Sequence, residues 1–309
     1  MRKLVLIDGS ALLHRAYHAM PGLTNSHGQV VNAVYGFFSM FLGVLQEQNP
    51  DYIVVCFDKS KPTIRQSMFA GYHQHRPPMA SDLSDQVILI DELLEDLNVF
   101  VAHLEGYEGD DVIGTFAREA KEEDPTIEVV IVTGDRDMLQ LVDDRTKVLM
   151  TITGMTKTAL FDKGMVEEKY GVRPSQFVDY KALIGDPSDG YPGISGIGPK
   201  TASNLLQKFG TFESLYKRIN EVPEKVGLKL ATDAEQGALA KKLATIMVDA
   251  PIHLDLAAAS VSQLDFQNLR KGFERHSFKS LLARLDAKIP LKIKEASKKS
   301  VSQDQLDLL

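Results

Sequence analysis

The feature that most constrains this chain is a pattern that occurs four times, in which a short apolar run ends in acidic residues. The four runs are residues 4–7, 52–57, 99–104 and 129–132. The acids that follow them are, in the same order, Asp8; Asp58; Glu108, Asp110 and Asp111; and Asp135 and Asp137. Runs that are apolar at every position are typical of strands buried on both faces of a parallel sheet. Together with helical patterns at residues 31–48, 84–97 and 111–122, they predict an α/β fold with a mostly parallel sheet flanked by helices.

The acids at the strand ends have two interpretations. Each one taken singly is explained by a turn or a helix cap, because an Asp side chain accepts hydrogen bonds from amides there. In an open parallel sheet, however, the carboxyl ends of the strands meet at one edge, so these side chains would lie together. Carboxylates crowded in this way repel one another unless cations lie between them. The pattern therefore predicts a site for divalent metal ions, and oxygen ligands favour Mg²⁺.

Composition narrows the class of protein. The chain has 309 residues, no signal-peptide-like start and no apolar stretch long enough for a membrane span, so we expect a soluble, cytoplasmic protein. With Cys56 as the only cysteine and no suitable arrangement of histidines, a zinc site is excluded. The formal charge of −7 at first argues against a nucleic-acid partner. Setting aside the seven acids above, together with Asp186 and Asp189, leaves the rest of the chain at +2.

Residues 59–81 interrupt the apolar pattern with a basic segment that is bounded by prolines. It contains Arg65, Tyr72, His73 and Arg76. One interpretation is a solvated loop. The other is an excursion above the acidic edge that binds nucleic acid, because Arg and Lys grip phosphates and Tyr stacks on bases.

A glycine- and proline-rich stretch at residues 185–202 marks a change in composition. It holds Asp186 and Asp189, and then a Gly-Ile-Gly turn that opens a helix with Pro199 in its first turn. A second helix at 212–219 follows, so the stretch predicts a helix-turn-helix that binds phosphate through backbone amides at the helix start. The residues that would contact the phosphate are Gly196, Gly198, Lys200 and Thr201. Elsewhere the pattern predicts strands at 146–150 and 158–161 and helices at 162–170, 174–183, 234–248, 264–274 and 278–287.

With these residues in hand, the chain resembles the 5′ nuclease (flap endonuclease) family, and above all the N-terminal nuclease domain of bacterial DNA polymerase I and its free-standing relatives. The motifs that carry the resemblance are Leu-Ile-Asp-Gly-Ser at 6–10, Phe-Asp at 57–58, Gly-Tyr-Glu-Gly-Asp-Asp at 106–111, Thr-Gly-Asp-Arg-Asp at 133–137, Gly-Asp-Pro-Ser-Asp at 185–189 and Gly-Ile-Gly-Pro-Lys-Thr-Ala at 196–202. The resemblance implies a PIN-like α/β core at residues 1–181, with a helical arch at about 60–82. It also implies a helix-three-turn-helix region, helical and DNA-binding, at residues 182–289.

The resemblance further implies an activity. A structure-specific 5′ nuclease of this family hydrolyses DNA phosphodiesters at 5′ ends and flaps by two-metal-ion catalysis, in replication and repair. The implied first group of Mg²⁺ ligands is Asp8, Asp58, Glu108 and Asp110. The implied second group is Asp111, Asp135, Asp137, Asp186 and Asp189. In the arch, the DNA contacts would be Tyr72, His73 and Arg76.

The chain departs from the family pattern at two positions. Relatives commonly have a lysine in the arch where this chain has His73, which leaves open how the scissile phosphate is polarised. With His73 in that place, Arg65 and Arg76 are the candidates to carry more of that task. Relatives usually have an asparagine after the last acid, where this chain has Gly190, and we expect that position to shape the turn rather than hold metal. None of the family's acids is missing, which argues against an inactive relative.

The expected ligands and partners follow from the same resemblance. We expect two Mg²⁺ ions, with Mn²⁺ able to substitute, and K⁺ is a further candidate at the helix-three-turn-helix. The expected partner is DNA with a 5′ flap, a nick or a 5′ end, bound by a monomer associated with the nucleoid. Two alternatives stay open, a catalytically weak DNA-binding relative and a PIN-type ribonuclease.

The last residues, 290–309, predict a flexible tail, because residues 292–302 are charged and poor in apolar side chains. The tail ends in Gln305, Leu306, Asp307, Leu308 and Leu309, which resembles the peptide by which bacterial replication and repair proteins bind the sliding clamp. The usual final Phe is Leu309 here, and a frayed terminus with a chance match is the alternative. A clamp peptide in this position favours a free-standing nuclease over a fragment of a polymerase.

Overall fold

A computed structural model gives the architecture of residues 1–20, 22–26, 28–59, 62–154 and 157–288. Its centre is a six-stranded sheet with the strand order β3-β2-β1-β4-β5-β6. The strands are β1 (Arg2–Asp8), β2 (Tyr52–Cys56), β3 (Phe100–Ala102), β4 (Ile127–Thr133), β5 (Thr146–Thr153) and β6 (Lys157–Phe161). Strands β1 to β5 are parallel and β6 is antiparallel to β5, which confirms the predicted mostly parallel sheet.

Strands β1 and β4 lie side by side at the middle of the sheet, where Ile7 pairs with Val132. From β1 the chain continues outward through β2 and β3, whereas from β4 it continues outward in the other direction through β5 and β6. The strand order therefore reverses between β1 and β4. In open sheets of this kind, the crevice beyond the carboxyl ends at such a reversal is where ligands bind.

Helices cover both faces of the sheet. In the described residues they are α1 (Gly9–Ala19), α2 (Asn32–Gln48), α3 (Ile64–Met68), α4 (Ser81–Asp96), α5 (Gly109–Glu123), α6 (Lys163–Tyr170), α7 (Phe177–Ile184), α8 (Pro199–Phe209), α9 (Phe212–Lys217), α10 (Glu224–Thr232), α11 (Ala234–Ala244), α12 (Phe266–Arg275) and α13 (Lys279–Lys288). A two-stranded hairpin, β7 (Gly185–Asp186) and β8 (Tyr191–Pro192), follows α7. Helix α10 was not predicted, because only Leu230 of it is buried and Gly227 interrupts its apolar pattern.

The hydrophobic core has two parts, one on each face of the sheet. On one face, Phe116 of α5 packs in the same cluster as Phe177 of α7 and Leu206 of α8. On the other face, α2 packs against α1, α4 and α13, which explains why most of its residues are apolar. The helix-three-turn-helix region therefore belongs to the α5 face, next to the acidic edge.

The last two helices pack on the face opposite α8. Phe273 of α12 meets Phe38 of α2 with ring centroids 5.3 Å apart, and Leu281 and Leu285 of α13 are buried in the same core. The sequence grouped these helices with the helical region after residue 182, but in the structure they close the α/β core. The predicted boundary between residues 181 and 182 falls inside α7, and the domain division stays a prediction.

The predicted helical arch corresponds to α3 and the turns that follow it. Thr63 and Gln66 form a capping box at the start of α3, in which each side chain accepts a hydrogen bond from the other residue's backbone amide. The helix ends after five residues, and the Pro77-Pro78 pair keeps the chain out of helical geometry until α4 begins.

No described helix combines the length and the apolar character that crossing a membrane requires. The predicted linker and the candidate clamp peptide at residues 305–309 lie outside the described residues.

Candidate metal centre

The first group of acids lies at the carboxyl edge of the sheet. Its members Asp8, Asp58 and Asp110 converge there, and Asp135, which the sequence assigned to the second group, carries charge interactions with Asp8 and Asp110. Asp8 ends β1 and caps α1, because its Oδ1 accepts a hydrogen bond from the Ala11 amide at 2.9 Å. Its Oδ2 accepts one from the Thr133 hydroxyl at 2.6 Å. Asp58 follows β2, and its Oδ1 accepts a hydrogen bond from the amide of Gly109, the first residue of α5, at 2.7 Å.

The electrostatics of this group favour a proton or a cation. Burial raises the pKa of Asp8 to about 7, although hydrogen bonds from Thr133 and Ala11 oppose that shift. Burial also raises the pKa of Asp110, and the negative charges of Asp135 and Asp8 raise it further. A cation among these carboxylates would relieve the same repulsion at neutral pH.

Glu108 joins the arch to this edge. It is buried at the start of α5, where its Oε1 accepts a hydrogen bond from the Thr63 hydroxyl at 3.0 Å. Its Oε2 accepts hydrogen bonds from the Tyr72 hydroxyl at 3.0 Å and from Arg65 Nη1 at 3.1 Å. Burial raises the pKa of Glu108, and the charge of Arg65 opposes that shift. The predicted DNA-contact residue Tyr72 is thus buried against a predicted metal ligand.

Asp111 is paired with Arg65 rather than with the other acids. It is fully buried, and its Oδ1 and Oδ2 accept hydrogen bonds from Arg65 Nη2 at 2.8 Å and Nη1 at 2.9 Å. The Met247 and Glu108 amides donate to the same carboxylate, and Arg65 also donates to the carbonyl oxygen of Leu243. The structure therefore places Asp111 apart from the converging acids, and Arg65 in a buried ion pair rather than in open solvent.

The second group of acids lies between the end of β4 and the small hairpin. One carboxylate oxygen from each of Asp137, Asp186 and Asp189 lies within 4.8 Å of the other two. The hairpin depends on Gly185, which has φ +73° and would place a Cβ atom 2.2 Å from the Gly193 amide nitrogen. Asp135 lies between the two groups, because it carries charge interactions with Asp110 on one side and with Asp189 on the other.

A buried lysine that the sequence analysis missed lies in the second group. Lys181 Nζ is 2.6 Å from Asp137 Oδ1 and also forms an ion pair with Asp186. Burial alone would lower the pKa of Lys181, but the two carboxylates outweigh it and raise the pKa. In the sequence, the only sign of this residue is a single basic side chain in a largely apolar helix, α7.

Tyr191 adds a second buried polar group that the sequence analysis missed. Its side chain is 2% exposed, and among the described residues its hydroxyl has no hydrogen-bond partner. Burial raises the pKa of this hydroxyl, and the charges of Asp137 and Asp186 raise it further.

The arch reaches the same group through Asp189. His73 Nε2 lies 3.1 Å from Asp189 Oδ1, and Arg76 Nη2 donates a hydrogen bond to the same oxygen at 2.9 Å. The His73 amide also donates to the Asp189 carbonyl oxygen at 2.8 Å. Gly190 permits this approach, because it has φ +82° and a Cβ atom there would lie 2.7 Å from the Gly71 carbonyl oxygen.

The glycine-rich loop before α8 is held from outside by three side chains. Lys229 Nζ donates to the Gly196 carbonyl oxygen at 2.9 Å, and Asp233 Oδ2 accepts from the Ser195 amide at 2.7 Å. The Gln236 side-chain amide donates to the Gly193 carbonyl oxygen. Gly198 caps α8 without a side chain, and Pro199 begins the helix, so the first-turn amides of Lys200 and Thr201 face outward for an anion. The four predicted phosphate-contact residues are therefore together at one helix start: Gly196, Gly198, Lys200 and Thr201.

The donor set of the two groups fits hard divalent ions. Every candidate ligand is a carboxylate oxygen, which is the kind of ligand that Mg²⁺ and Mn²⁺ prefer. Several of these carboxylates are buried, and a buried carboxylate that is charged and unpaired is unfavourable. The residues that would hold such ions are Asp8, Asp58, Glu108, Asp110, Asp135, Asp137, Asp186 and Asp189.

A mostly parallel sheet flanked by helices, with acids at its carboxyl edge and a helical region beside it, is the α/β nuclease fold that the sequence predicted. The chain belongs to the 5′-3′ exonuclease family. The model of that family's N-terminal, resolvase-like domain matches residues 3–171, and the model of its C-terminal, SAM-fold domain matches residues 172–267.

The chain is similar to bacterial DNA polymerase I sequences over one part of their length. It is 40% identical over 290 residues to DNA polymerase I of Bacillus subtilis, which aligns 92% of this chain with 32% of the relative. It is 38% identical over 285 residues to DNA polymerase I of Caldicellulosiruptor bescii, with 92% and 33% covered. The chain thus spans about a third of the length of these relatives.

Solved structures confirm the fold. The T5 D15 protein, co-crystallised with metal ions, superposes with a TM-score of 0.65 at 19% identity and covers 92% of this chain and all of its own. The catalytic core of Rad2, in complex with a DNA substrate, superposes with a TM-score of 0.57 at 17% identity, covering 92% of this chain and 93% of that core.

Proposed function

We propose that this chain is a structure-specific 5′ nuclease that hydrolyses DNA phosphodiesters at 5′ ends and flaps with the help of two divalent metal ions, in DNA replication and repair. The observation that carries the proposal is the convergence of acids from four strand ends at the crevice between β1 and β4. Carboxylates with raised pKa values gather at this edge, and a site for cations accounts for their gathering at neutral pH.

The chain's own residues divide the work between metal binding and DNA binding. Asp8, Asp110 and Asp135 would hold one ion, and the group of Asp137, Asp186 and Asp189 would hold the other, while Asp58 and Glu108 complete the first site. Divalent ions in such paired sites activate a water molecule and neutralise charge on the reacting phosphate. Asp111 is assigned a positioning role here, because Arg65 and two backbone amides occupy its oxygens.

DNA would lie across the arch and the helix-three-turn-helix. The outward amides and side chains of Lys200 and Thr201 suit a phosphate of the duplex, as helix starts commonly do. Arg76 is half exposed in the arch and suits a phosphate near the acids, so it is the better candidate than Arg65 for polarising the scissile group. The DNA complex of the Rad2 core and the metal-bound T5 D15 protein support this assignment by fold.

The test is cleavage of labelled flapped, nicked and single-stranded DNA with and without Mg²⁺. We expect Mg²⁺-dependent release of products from the 5′ end of the flap, with Mn²⁺ as a substitute. Binding of the flap without cleavage in either metal would favour the catalytically weak relative. Faster cleavage of single-stranded RNA than of flapped DNA would favour the PIN-type ribonuclease.

The remaining assignments are part of the same proposal. We infer a cytoplasmic, nucleoid-associated monomer that binds DNA with a 5′ flap, a nick or a 5′ end. A K⁺ ion at the helix-three-turn-helix would add affinity for duplex DNA. Sedimentation of the full chain with and without DNA, in K⁺ and in Na⁺ buffers, tests both the oligomeric state and the K⁺ dependence.

We also propose that residues 305–309 bind the bacterial sliding clamp. Apolar side chains on a short peptide can fill a hydrophobic pocket, while the preceding linker leaves the nuclease able to reach DNA. Deleting Gln305–Leu309 should abolish clamp binding and leave clamp-independent cleavage unchanged. Absence of any clamp affinity in the full chain would refute this part of the proposal.

A further inference from the structure

Lys181 occupies the position that a cation would take in the second acidic group. Its Nζ lies 2.6 Å from Asp137 Oδ1 and forms an ion pair with Asp186, and these are two of the three acids whose carboxylate oxygens lie within 4.8 Å of one another. The side chain is 9% exposed, so the ammonium is enclosed by the group rather than lying at its rim. The third acid, Asp189, is contacted instead by His73 and Arg76.

The ammonium and a divalent ion cannot occupy this group together without a large electrostatic cost. Like charges a few ångströms apart repel strongly where water is largely excluded, so an ion that binds Asp137 and Asp186 must first displace Lys181. The buried hydroxyl of Tyr191 has no hydrogen-bond partner in the described part of the chain, and the charges of Asp137 and Asp186 act on it.

The structure also allows the displacement. Helix α7 is fixed independently of Lys181, because Asp179 on the same helix pairs with Lys241 at 2.7 Å and accepts a hydrogen bond from the Phe212 amide at 3.0 Å. The four-carbon stem of a lysine can change rotamer while its backbone stays in place. The ammonium can therefore leave the group without unfolding the helix that carries it.

We propose that Lys181 is a built-in competitor of the divalent ion at the second group, Asp137, Asp186 and Asp189. It balances the carboxylates when no metal is bound and so keeps the free protein folded, and it lowers the affinity of this group for metal relative to the first group. This inference rests on the proposed metal-dependent nuclease function, and it predicts two sites of unequal affinity in the full chain.

The test measures metal binding directly, with Mn²⁺ titrated into the full chain and free Mn²⁺ followed by electron paramagnetic resonance. Lys181→Met should bind one Mn²⁺ about tenfold more tightly than the wild type, or better, with the other site unchanged. Lys121→Met is the matched control, because Lys121 is also a largely enclosed lysine and pairs with a carboxylate, Asp143, outside the group. Its Mn²⁺ affinities should equal those of the wild type.

The unfolding temperature is a second measurement, and it shows whether a neutral variant at residue 181 is less stable without metal. In EDTA, Lys181→Met should unfold at a lower temperature than the wild type, and saturating Mn²⁺ should raise its unfolding temperature by more than it raises that of the wild type. Lys181→Gln, which keeps a polar head without the charge, should behave in the same way. Unchanged or weaker Mn²⁺ binding in the neutral variants would overturn the proposal, as would their failure to fold even in saturating Mn²⁺.

A different result would refute the proposed nuclease function. If the wild type releases no product from flapped DNA in Mn²⁺ while the Mn²⁺ titrations come out as expected, the competition by Lys181 stands and the proposed reaction does not. If the wild type cleaves but Lys181→Met binds Mn²⁺ no more tightly, the reaction stands and the competition does not.

Discussion

Asp110 and Asp111 are neighbours in sequence with opposite surroundings. Asp110 lies among acids, and burial together with the charges of Asp135 and Asp8 raises its pKa. Asp111 lies against Arg65, whose guanidinium donates to both of its oxygens. Two adjacent carboxylates on the first turn of one helix thus divide into a candidate ligand and half of a buried ion pair.

The first prediction concerns Asp110. Asp110→Asn should abolish metal-dependent cleavage, because it removes a ligand, and leave DNA binding equal to or tighter than the wild type, because it removes a negative charge near the phosphate. Cleavage rates under single turnover and binding of flapped DNA in Ca²⁺ measure the two effects. Asp135→Asn should behave in the same way, and a wild-type cleavage rate in either variant would contradict the assignment.

The second prediction concerns the ion pair of Arg65 and Asp111. Asp111→Ala should lower the free energy of unfolding by about 2 kcal/mol or more, because the buried guanidinium loses two charge-assisted hydrogen bonds and keeps its contact with Glu108. Arg65→Met should lower the free energy of unfolding by a similar amount, because it removes the cation that pairs with Asp111. The double variant should lose less than the sum of the two single losses, because the two side chains interact with each other. Urea unfolding in EDTA measures all three. Additive losses would show that the two side chains are not coupled.

At the scale of single elements, helix starts compensate the crowded acids. Asp8 caps α1, and Glu108 is the residue before α5, so the positive ends of two helix dipoles point at the acidic edge. A third helix start, that of α8, faces outward with amides available for a phosphate. The same backbone property therefore serves both the candidate metal centre and the proposed phosphate contact.

The third prediction concerns the loop before α8, which side chains from the α10–α11 junction hold in place. Asp233→Ala removes the acceptor for the Ser195 amide and should weaken binding of nicked duplex DNA by about threefold to tenfold, with kcat at saturating DNA unchanged. Glu235→Ala is the matched control, since Glu235 is an exposed acid two residues away. If loss of an acid near DNA were the only effect, both variants would bind DNA more tightly.

At the scale of the whole molecule, the acidic edge couples folding to pH. Burial raises the pKa values of Asp8 and Asp137 to about 7, although Thr133 opposes the first shift and Lys181 the second. The folded protein therefore binds more protons than the unfolded chain between the ordinary carboxylate range and about pH 7. Stability from these groups is present at low pH and is lost as the pH rises through that window.

The fourth prediction follows from that sign. In EDTA, the contribution of these carboxylates to the free energy of unfolding should fall by about 2 kcal/mol or more between pH 5 and pH 8. Saturating Mg²⁺ should remove most of this loss, because it stabilises the deprotonated carboxylates. Guanidinium unfolding of the wild type and of an Asp8→Asn, Asp137→Asn double variant isolates the effect. A steeper fall in the double variant than in the wild type would contradict it.

Local sequence patterns were enough to predict the sheet and the gathering of acids at one of its edges. Apolar runs such as residues 4–7 and 129–132 form buried parallel strands, and parallel strands bring their carboxyl ends together whatever the intervening helices do. Asp8 and Asp135 therefore had to lie at the same edge once both runs were parallel strands, and the pairing of β1 with β4 brings them together. The helix start at Gly198 and Pro199 could also be predicted from local sequence. It depends on the backbone freedom of the glycine and the fixed φ of the proline, and not on a distant partner.

Contacts between distant parts of the chain determine which acids form ion pairs and which basic side chains they pair with. Arg65 pairs with Asp111, which is 46 residues away in sequence, and Lys181 pairs with Asp137 because of how α7 packs. Neither pairing can be recognised from a periodic pattern in the sequence. The same holds for α12 and α13, whose apolar faces could cover either side of the sheet until Phe273 met Phe38. Local patterns specify strands, caps and turns, whereas the choice of a partner for a buried charge or an apolar face depends on which distant surfaces the finished fold brings together.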